Sequence, residues 1–480
     1  MEEHKRSIRH REISAFQSIA EMVARKKAEK GDEVPFNLAH PLIGGVTHFL
    51  GRLYDAHPHK DPAEVVEVED HIDSSMLSAG IHVAWRFVCA VLRGRPEDVG
   101  RILKDIKDST LDPEWVEAIV KYVEVYGIHH LGSPVCSEPN ECPRNSEFTV
   151  LPDSGAFRVA LIADWGTGEA PGKALLKHVV SDQPDCLIHL GDVYYSGTHQ
   201  EYASNFLDLF DEMIPRRADG TRIPIFNLAG NHDYYSGGAA FLEATMKLNG
   251  PGPLEQKGGS FALRNPSGSW CLQGMDTGYN DHDPIANKHH ADTVEESMTR
   301  LREDDAKWQQ EQLEKTAGQG GKTILLSHHQ LFSAFSSIGD ETRKPSGTQF
   351  TNINLQKTFG PWLEQGGVAA WFWGHEHSLG IYEPYAGLAK GRCIGCGAIP
   401  VVENNKPYEP TLPHSGEQAP QLLQQNGKPV MLQAHRLSAV KQAVYNLGYT
   451  LLDFDGDSCV ARYIECNESE TTQLFEETIS

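Results

Sequence analysis

Five short blocks of the sequence concentrate the residue types that bind metal ions. Each block contains aspartate, asparagine or histidine: Asp164-Trp165-Gly166, Gly191-Asp192-Val193-Tyr194-Tyr195, Gly230-Asn231-His232-Asp233, His328-His329 and Gly374-His375-Glu376-His377. Imidazole and amide ligands suit zinc, manganese or iron, and carboxylates suit harder ions. Two ions held side by side repel each other, so they need a bridging anion, and an aspartate can supply it. The sequence therefore predicts a metal site, provided that folding brings the blocks together.

Each block closely follows a predicted strand. Short apolar runs predict strands at 157–163, 186–190, 223–228, 323–327 and 368–373. Helical patterns at 172–181, 202–213, 295–316 and 355–364 alternate with them, and this alternation is typical of an α/β fold. Because α/β sheets bind ligands beyond the carboxyl ends of their strands, we expect the five blocks to converge on one edge. Runs at 449–454 and 459–464 predict a closing hairpin.

The five blocks, in this order, resemble the calcineurin-like metallophosphoesterase superfamily over about residues 156–466. The resemblance implies an αββα sandwich, in which two sheets are flanked by helices. In the first block the common pattern is Asp-x-His, but here Gly166 stands at the histidine position. The pairing of Asp164-x-Gly166 with Gly191-Asp192-x-x-Tyr195 is similar to the purple acid phosphatase branch, in which tyrosinate binds a ferric ion.

The resemblance implies two metal ions and seven protein ligands. The first metal would take Asp164, Tyr195 and His377, the second would take Asn231, His328 and His375, and Asp192 would bridge them. Carboxylate and phenolate oxygens favour a hard, highly charged ion. We therefore expect Fe(III) beside a divalent iron, zinc or manganese ion.

The reaction implied by the resemblance is hydrolysis of a phosphate ester, most readily a phosphomonoester. A metal-bound hydroxide would attack phosphorus while both ions hold the phosphoryl oxygens. By analogy, His232 would face the leaving group and donate a proton, and Asp233 would either orient it or serve as a turn residue. His329, a third candidate catalytic residue, would line the site or hydrogen-bond a loop. Arg343 and Lys344 would contact a substrate anion or lie exposed on the surface.

Two other functions stay open at this point. The same metal centre could serve a phosphodiesterase acting on a nucleotide or another small diester. A non-catalytic interaction module would be expected to lose at least one ligand, and all seven are present.

The composition argues against several classes of partner. The 480 residues carry a formal net charge of -23, which disfavours binding to nucleic acid phosphates. No run of about 18 apolar residues could span a bilayer, and the N-terminal residues do not form a secretion signal. The nine cysteines are odd in number and scattered. We therefore expect a cytoplasmic protein that acts on a small phosphorylated substrate.

The chain divides into four predicted regions. Apolar residues at three- and four-residue spacing predict an α-helical extension at 1–130, whose partner and oligomeric role carry no recognisable motif. Glycines and prolines predict a linker at 131–155. The catalytic domain would cover 156–466 and a mobile acidic tail 467–480. Cys393 and Cys396 have the spacing of a redox or zinc half-site, but without a second pair we expect plain strand residues.

Overall fold

The structure, a computed structural model, describes residues 145–480 apart from several short segments. The excepted segments are 169, 195–196, 217–219, 282–297, 337, 340–349, 400, 402, 404–405, 414–415 and 437–442. The predicted helical extension and most of the predicted linker therefore lie outside the described residues. So do Tyr195, Arg343 and Lys344.

Two large β-sheets form the centre of the described region. The first contains β2 (Ala156–Ile162), β3 (Cys186–His189), β4 (Ile225–Asn227), β15 (Leu447–Asp455), β16 (Ser458–Cys466) and β17 (Thr471–Ile479). The second contains β1 (Ser146–Thr149), β5 (Phe261–Arg264), β6 (Trp270–Met275), β7 (Lys322–Ser327), β8 (Val368–Trp373), β9 (Leu379–Ile381) and β10 (Gly391–Ile394). Their strand orders are β17-β16-β15-β2-β3-β4 and β1-β5-β6-β7-β8-β10-β9.

Parallel strands lie at one end of the first sheet and at the middle of the second. β2, β3 and β4 run parallel in the first sheet, as do β6, β7 and β8 in the second. Two small sheets lie outside them and pair β11 (Gln424–Gln425) with β12 (Lys428–Pro429) and β13 (Ala434–Arg436) with β14 (Ala443–Tyr445). The predicted hairpin is confirmed, because β15 pairs with β16 in antiparallel register.

Helices cover the outer faces of the sheets. They are α1 (Ala170–Ser181), α2 (His199–Tyr202), α3 (Asp208–Met213), α4 (Ala239–Leu248), α5 (Glu303–Gly318) and α6 (Ile353–Glu364). A π-helical segment, Ala203–Leu207, joins α2 to α3, and short 3-10 segments lie at His232–Tyr234 and Tyr279–Asp281. Among the described residues, no helix is long and apolar enough to cross a membrane.

The alternation of side chains along β2 shows how the layers are built. Val159 and Leu161 pack between the two sheets, whereas Ala160 and Ile162 pack under α1, against Leu175 and its neighbours. Successive residues of a strand point to opposite faces, so a strand covered on both sides reads as a continuous apolar run. The predicted two-sheet sandwich is therefore confirmed.

The C-terminus differs from the sequence-based expectation. The stretch predicted as a mobile acidic tail forms β17, which pairs with β16 along its length. The two carboxylate oxygens of Glu477 accept hydrogen bonds from Arg392 at 2.6 and 2.8 Å, and Tyr463 donates to the same carboxylate at 2.7 Å. Ile479 is fully buried. The prediction of a mobile tail rested on polar composition. It was wrong because Glu477 forms long-range hydrogen bonds that hold this segment in the sheet.

The predicted linker and the longest predicted helix also differ in part. Ser146–Thr149, inside the range assigned to the linker, is strand β1 and pairs in parallel with β5. The helix predicted at 295–316 is described only from Glu303, where α5 begins, and residues 298–302 are not helical. Both differences concern the edges of the fold and leave the predicted central strands in place.

Candidate metal centre

Three of the candidate ligands lie on strained backbone just beyond strand ends. Asp164, Asp192 and His375 have φ angles of 55°, 72° and 68° and follow β2, β3 and β8, respectively. A positive φ is uncommon for residues other than glycine and costs free energy that the surrounding structure must supply. Such strain clusters at functional sites, where it aims side chains at a common point.

Four polar atoms gather at the first of two clusters. The Tyr194 hydroxyl lies 2.9 Å from Asp164 Oδ1, 3.2 Å from Asp192 Oδ2 and 3.0 Å from His377 Nε2. His377 Nε2 is itself 3.5 Å from Asp164 Oδ1. We call these four side chains the first donor set.

Three polar atoms form a second cluster beside the first. Asn231 Oδ1 lies 3.0 Å from His375 Nδ1 and 3.2 Å from His328 Nε2, and the two imidazole nitrogens are 3.2 Å apart. We call Asn231, His328 and His375 the second donor set. The bridge between the sets is Asp192, whose Oδ2 is 3.4 Å from His328 Nε2.

These spacings fit the coordination of metal ions. Ligand atoms about 2.0–2.2 Å from a metal lie about 3 Å apart when they meet at right angles and about 3.4 Å apart in a tetrahedron. The distances within each donor set, 2.9–3.5 Å, match this range. Asp192 Oδ2 has neighbours at ligand spacing in both sets, as a bridging carboxylate oxygen must.

The charges of the site also favour a cation. Burial lowers the pKa of His328, but the carboxylates of Asp192 and Asp164 outweigh that effect and raise the pKa to about 9. Burial likewise raises the pKa of Asp192, yet nearby histidines hold it well below its usual range. A negative potential that attracts protons to imidazole attracts metal ions to the same lone pair.

A hydrogen bond fixes which nitrogen of His328 faces the site. Its Nδ1 lies 3.0 Å from the carbonyl oxygen of Leu190, and a carbonyl can only accept. Nδ1 therefore carries the proton and Nε2 presents its lone pair to the second donor set. Metal-binding histidines are commonly oriented in this way.

Comparison with protein families identifies the domain that carries these residues. Residues 157–379 match the model of the calcineurin-like phosphoesterase family. This segment forms a calcineurin-like phosphoesterase domain. It contains both donor sets and β2 to β8, and the chain continues the first sheet with β15, β16 and β17 beyond the matched segment. A comparison with curated proteins gave no match.

Several solved structures are similar to this phosphoesterase domain and its surroundings at low sequence identity. They include a purple acid phosphatase from yellow lupin, with 15% identity, 69% of this chain and 55% of that chain covered and a TM-score of 0.40. The Plasmodium protein GAP50, an anchor in the inner membrane complex, has 12% identity, coverages of 68% and 89% and a TM-score of 0.41. A dimetal phosphatase from Danio rerio has 13% identity, coverages of 68% and 99% and a TM-score of 0.40. The chain spans about half the length of the lupin enzyme.

His232 lies at the edge of the first donor set of the phosphoesterase domain. Its backbone N–H donates to Asp192 Oδ1 at 3.0 Å, and its Nε2 is 3.9 Å from Asp192 Oδ2. The imidazole is held between the rings of Tyr194 and Tyr235, with centroid distances of 4.8 and 4.7 Å. These contacts place a titratable ring next to the bridging aspartate, and its predicted role as a proton donor stays a prediction.

Asp233 joins the backbones of two loops that carry candidate metal ligands. Its Oδ2 accepts N–H groups of Asp192 at 2.9 Å and Gly230 at 2.7 Å, and its Oδ1 accepts the Val193 N–H at 3.0 Å and the Tyr202 hydroxyl at 2.7 Å. Burial raises the pKa of Asp233, while the hydrogen bonds oppose the rise. These four hydrogen bonds are those expected of a structural turn residue, which is one of the two roles predicted for Asp233 from the sequence.

His329 faces the loop that follows β6. Its Nδ1 lies 3.0 Å from the Thr277 hydroxyl and its Nε2 2.9 Å from Asp281 Oδ2, and its ring centroid is 4.5 Å from that of His375. Both ring nitrogens thus form hydrogen bonds with the loop. Hydrogen bonding to a loop was one of the two placements predicted for His329, the other being a position lining the site. A catalytic role for His329 stays a prediction.

The sequence-based search did not include Tyr194 among the site residues. The motif pointed to Tyr195, which lies outside the described residues, whereas the neighbouring Tyr194 contributes its hydroxyl to the first donor set. The only sequence signal was the pair of adjacent tyrosines after Asp192. Their spacing alone does not decide which ring turns inward.

Proposed function

We propose that this protein is a phosphatase with a two-metal centre and that phosphomonoesters are its preferred substrates. The observation that carries the proposal is the position of Asp192 Oδ2, 3.2 Å from the Tyr194 hydroxyl and 3.4 Å from His328 Nε2. One buried carboxylate thereby joins two separate donor sets within a phosphoesterase domain. A bridging anion is what a pair of neighbouring cations requires.

The donor sets suit different ions. The first is rich in oxygen, with two carboxylates and a phenol, and we propose Fe(III) there. The second offers one amide oxygen and two imidazoles besides Asp192, and we propose divalent iron, zinc or manganese. Bound metals would lower the pKa of a coordinated water and neutralise the charge that develops on phosphoryl oxygens.

The side chains of this protein supply position and a proton. Asp164 and Asp192 are buried, whereas His377 of the first donor set and His375 of the second are only partly buried, so we propose that a substrate approaches from the side of these two histidines. His232, held between two tyrosine rings, would donate a proton to the leaving-group oxygen. Monoester hydrolysis then needs no covalent intermediate with the protein.

We also propose a small phosphorylated substrate and a reducing compartment such as the cytoplasm. The net charge of -23 disfavours the phosphates of nucleic acids as partners. Six cysteines of the described region are free and buried, Cys186, Cys271, Cys393, Cys396, Cys459 and Cys466. Counting accessible and total thiols in protein purified without reductant would test the compartment, and disulfides between these cysteines would contradict it.

The experiment that tests the function measures bound metal and turnover in the same samples. We expect about two metal ions per chain and faster turnover of p-nitrophenyl phosphate than of bis(p-nitrophenyl) phosphate. Asp192→Asn should lose at least one metal and about a hundredfold or more of activity, since the bridge is the shared ligand. Asp457→Asn, at an exposed position in the β15–β16 turn, is the matched control and should change neither quantity.

Two results would contradict parts of the proposal separately. Faster turnover of the diester would replace the substrate class but keep the metal centre. Failure of the fully loaded protein to hydrolyse either ester, with Asp192→Asn binding metal normally, would overturn the enzymatic function.

A further inference from the structure

Glu376 directly follows the candidate ligand His375, and its carboxylate reaches a different loop. Its Oε1 accepts hydrogen bonds from the hydroxyls of Ser333 at 2.6 Å and Ser336 at 2.7 Å. Both serines are buried and belong to the segment that follows β7 and the candidate ligand His328. One side chain therefore links the two loops that carry the imidazoles of the second donor set.

The serine side of this link is fixed by hydrogen bonds of its own. Ser333 Oγ accepts the backbone N–H groups of Phe335 at 3.0 Å and Ser336 at 3.1 Å. The Ser333 N–H donates to the carbonyl oxygen of Phe350 at 3.0 Å. Because the hydroxyls are held at defined points, a carboxylate oxygen that accepts both of them is held as well.

The loop on the other side of the link has strained backbone. His375 has a φ of 68°, and its N–H donates to Asp164 Oδ2 at 2.9 Å. The Glu376 N–H donates to the Gly374 carbonyl at 2.8 Å, and the Glu376 carbonyl accepts the Ser378 N–H at 2.6 Å. A backbone of this kind persists only where surrounding contacts fix it. The side chain of Glu376 supplies a contact between this turn and the loop after β7.

The second carboxylate oxygen of Glu376 shows that stability alone does not explain the residue. Among the described residues, the buried Oε2 has no hydrogen-bond partner. A buried acceptor without a partner costs free energy, because it has lost its hydrogen bonds to water. Such a group calls for an explanation, and a role at the adjacent metal site supplies one.

We propose that Glu376 is a positioning residue for the second metal. The inference rests on the proposed two-metal function and deepens it. By holding the loop of His375 against the loop of His328, Glu376 maintains the 3.2 Å spacing between their imidazole nitrogens. Asp233 joins two other ligand loops by the same means, a carboxylate that accepts hydrogen bonds across them.

The test compares binding of the second metal in variants of Glu376 and Ser336. Competition with a chelator at limiting Zn(II) measures the second site in protein already loaded with Fe(III). The visible charge-transfer band of a phenolate on Fe(III) reports the first site and should persist. Glu376→Leu removes both hydroxyl bonds and should weaken Zn(II) binding by about 10–100-fold. Ser336→Ala removes one bond and should weaken it by about threefold to tenfold.

Two further variants separate the hydrogen bonds from charge and from general damage. Glu376→Gln removes the charge but keeps an oxygen that can accept both hydroxyls, so the affinity for Zn(II) should stay within about threefold of that of the unmodified protein. Tyr449→Phe removes a hydroxyl bond of 2.6 Å to the carboxylate of Asp182, in a contact between β15 and the end of α1. This control should leave the affinity for Zn(II) unchanged.

The possible outcomes separate this inference from the proposed function. Unchanged affinity in Glu376→Leu, or a loss in Glu376→Gln as large as in Glu376→Leu, would overturn the positioning role and leave the phosphatase function standing. Weaker Zn(II) binding in Glu376→Leu and Ser336→Ala, in protein that hydrolyses neither ester, would support the positioning role and overturn the enzymatic function. Unmodified protein that binds no second metal would overturn both proposals. Should Glu376→Leu fail to fold, Ser336→Ala decides, because unchanged affinity there would contradict the link.

Discussion

The hydroxyl of Tyr235 lies 2.6 Å from the amide nitrogen of Asn231. An amide nitrogen only donates, so this bond fixes the orientation of the group and turns Oδ1 toward His328 and His375. Tyr235 therefore acts on the second donor set through Asn231 and is a positioning residue.

Tyr235→Phe should weaken binding of the second metal. Without its acceptor the amide can rotate, and a lost hydrogen bond of about 1.4 kcal/mol corresponds to about tenfold in affinity. Competition with a chelator at limiting metal measures the change, while the visible band of the first metal should persist. Tyr449→Phe is the matched control because its hydroxyl bonds Asp182 at the same distance of 2.6 Å. Equal affinities for the unmodified protein and Tyr235→Phe would contradict the positioning role.

Asp233→Asn should reduce metal affinity more strongly. Each carboxylate oxygen of Asp233 accepts two hydrogen bonds, so an amide NH₂ in either orientation would face two donors. The loops that carry Asp192 and Asn231 would separate, and we expect metal affinity to fall by about 10–100-fold. Tyr202→Phe removes one of the four bonds and should have a smaller effect. If both variants bound metal as tightly as the unmodified protein, Asp233 would not hold these loops.

The central fold and the positions of most candidate ligands could be predicted from local sequence. Strands β3, β6, β7 and β8 are buried on both faces and appear as apolar runs, and each ligand block begins where a run ends. The alternation with helices then placed the blocks at strand ends. The sequence did not reveal that the blocks come from two sheets, because strand order depends on contacts between distant segments.

Local sequence patterns could not predict that the Tyr194 side chain turns toward the first donor set. Asp192 has a φ of 72°, and the Gly166–Val193 bridge follows it, so the direction of the Tyr194 ring depends on backbone geometry that no periodicity describes. The same limit applies to β17, whose place depends on the bond of Glu477 to Arg392, 85 positions earlier in the chain. Both features are set by tertiary contacts.

Gly230→Ala should disrupt the bridge between the donor sets. A Cβ at Gly230 would overlap Asp192 Oδ1 and would lie 2.7 Å from His328 Cε1, and both belong to buried side chains without room to retreat. We expect loss of at least one bound metal and of most activity, with metal content and circular dichroism as the measurements. Gly318→Ala, at the end of α5 with no atom within 4 Å of the added Cβ, is the control. Normal metal content in Gly230→Ala would show that the Asp192 carboxylate can be displaced without loss of metal.

His189 should make the fold sensitive to mild acid. It is fully buried between β2 and β4, where its Nδ1–H donates to Asn227 Oδ1 at 2.8 Å, and burial lowers its pKa to about 4 from 6.5. The unfolded chain therefore binds more protons between these two values, so acidification favours unfolding. The stability that the neutral imidazole contributes is present above pH 6.5 and is lost as the pH falls toward 4.

The size of this effect can be measured by comparing pH dependences. Between pH 7 and 5, the unmodified protein should lose about 2 kcal/mol more free energy of unfolding than His189→Gln. Urea unfolding in the presence of a chelator isolates the effect from metal release. His199→Gln, whose side chain is 65% exposed, should keep the pH dependence of the unmodified protein. If His189→Gln lost as much stability as the unmodified protein, the buried imidazole would not be the acid-sensitive group, because the substitution removes its titration.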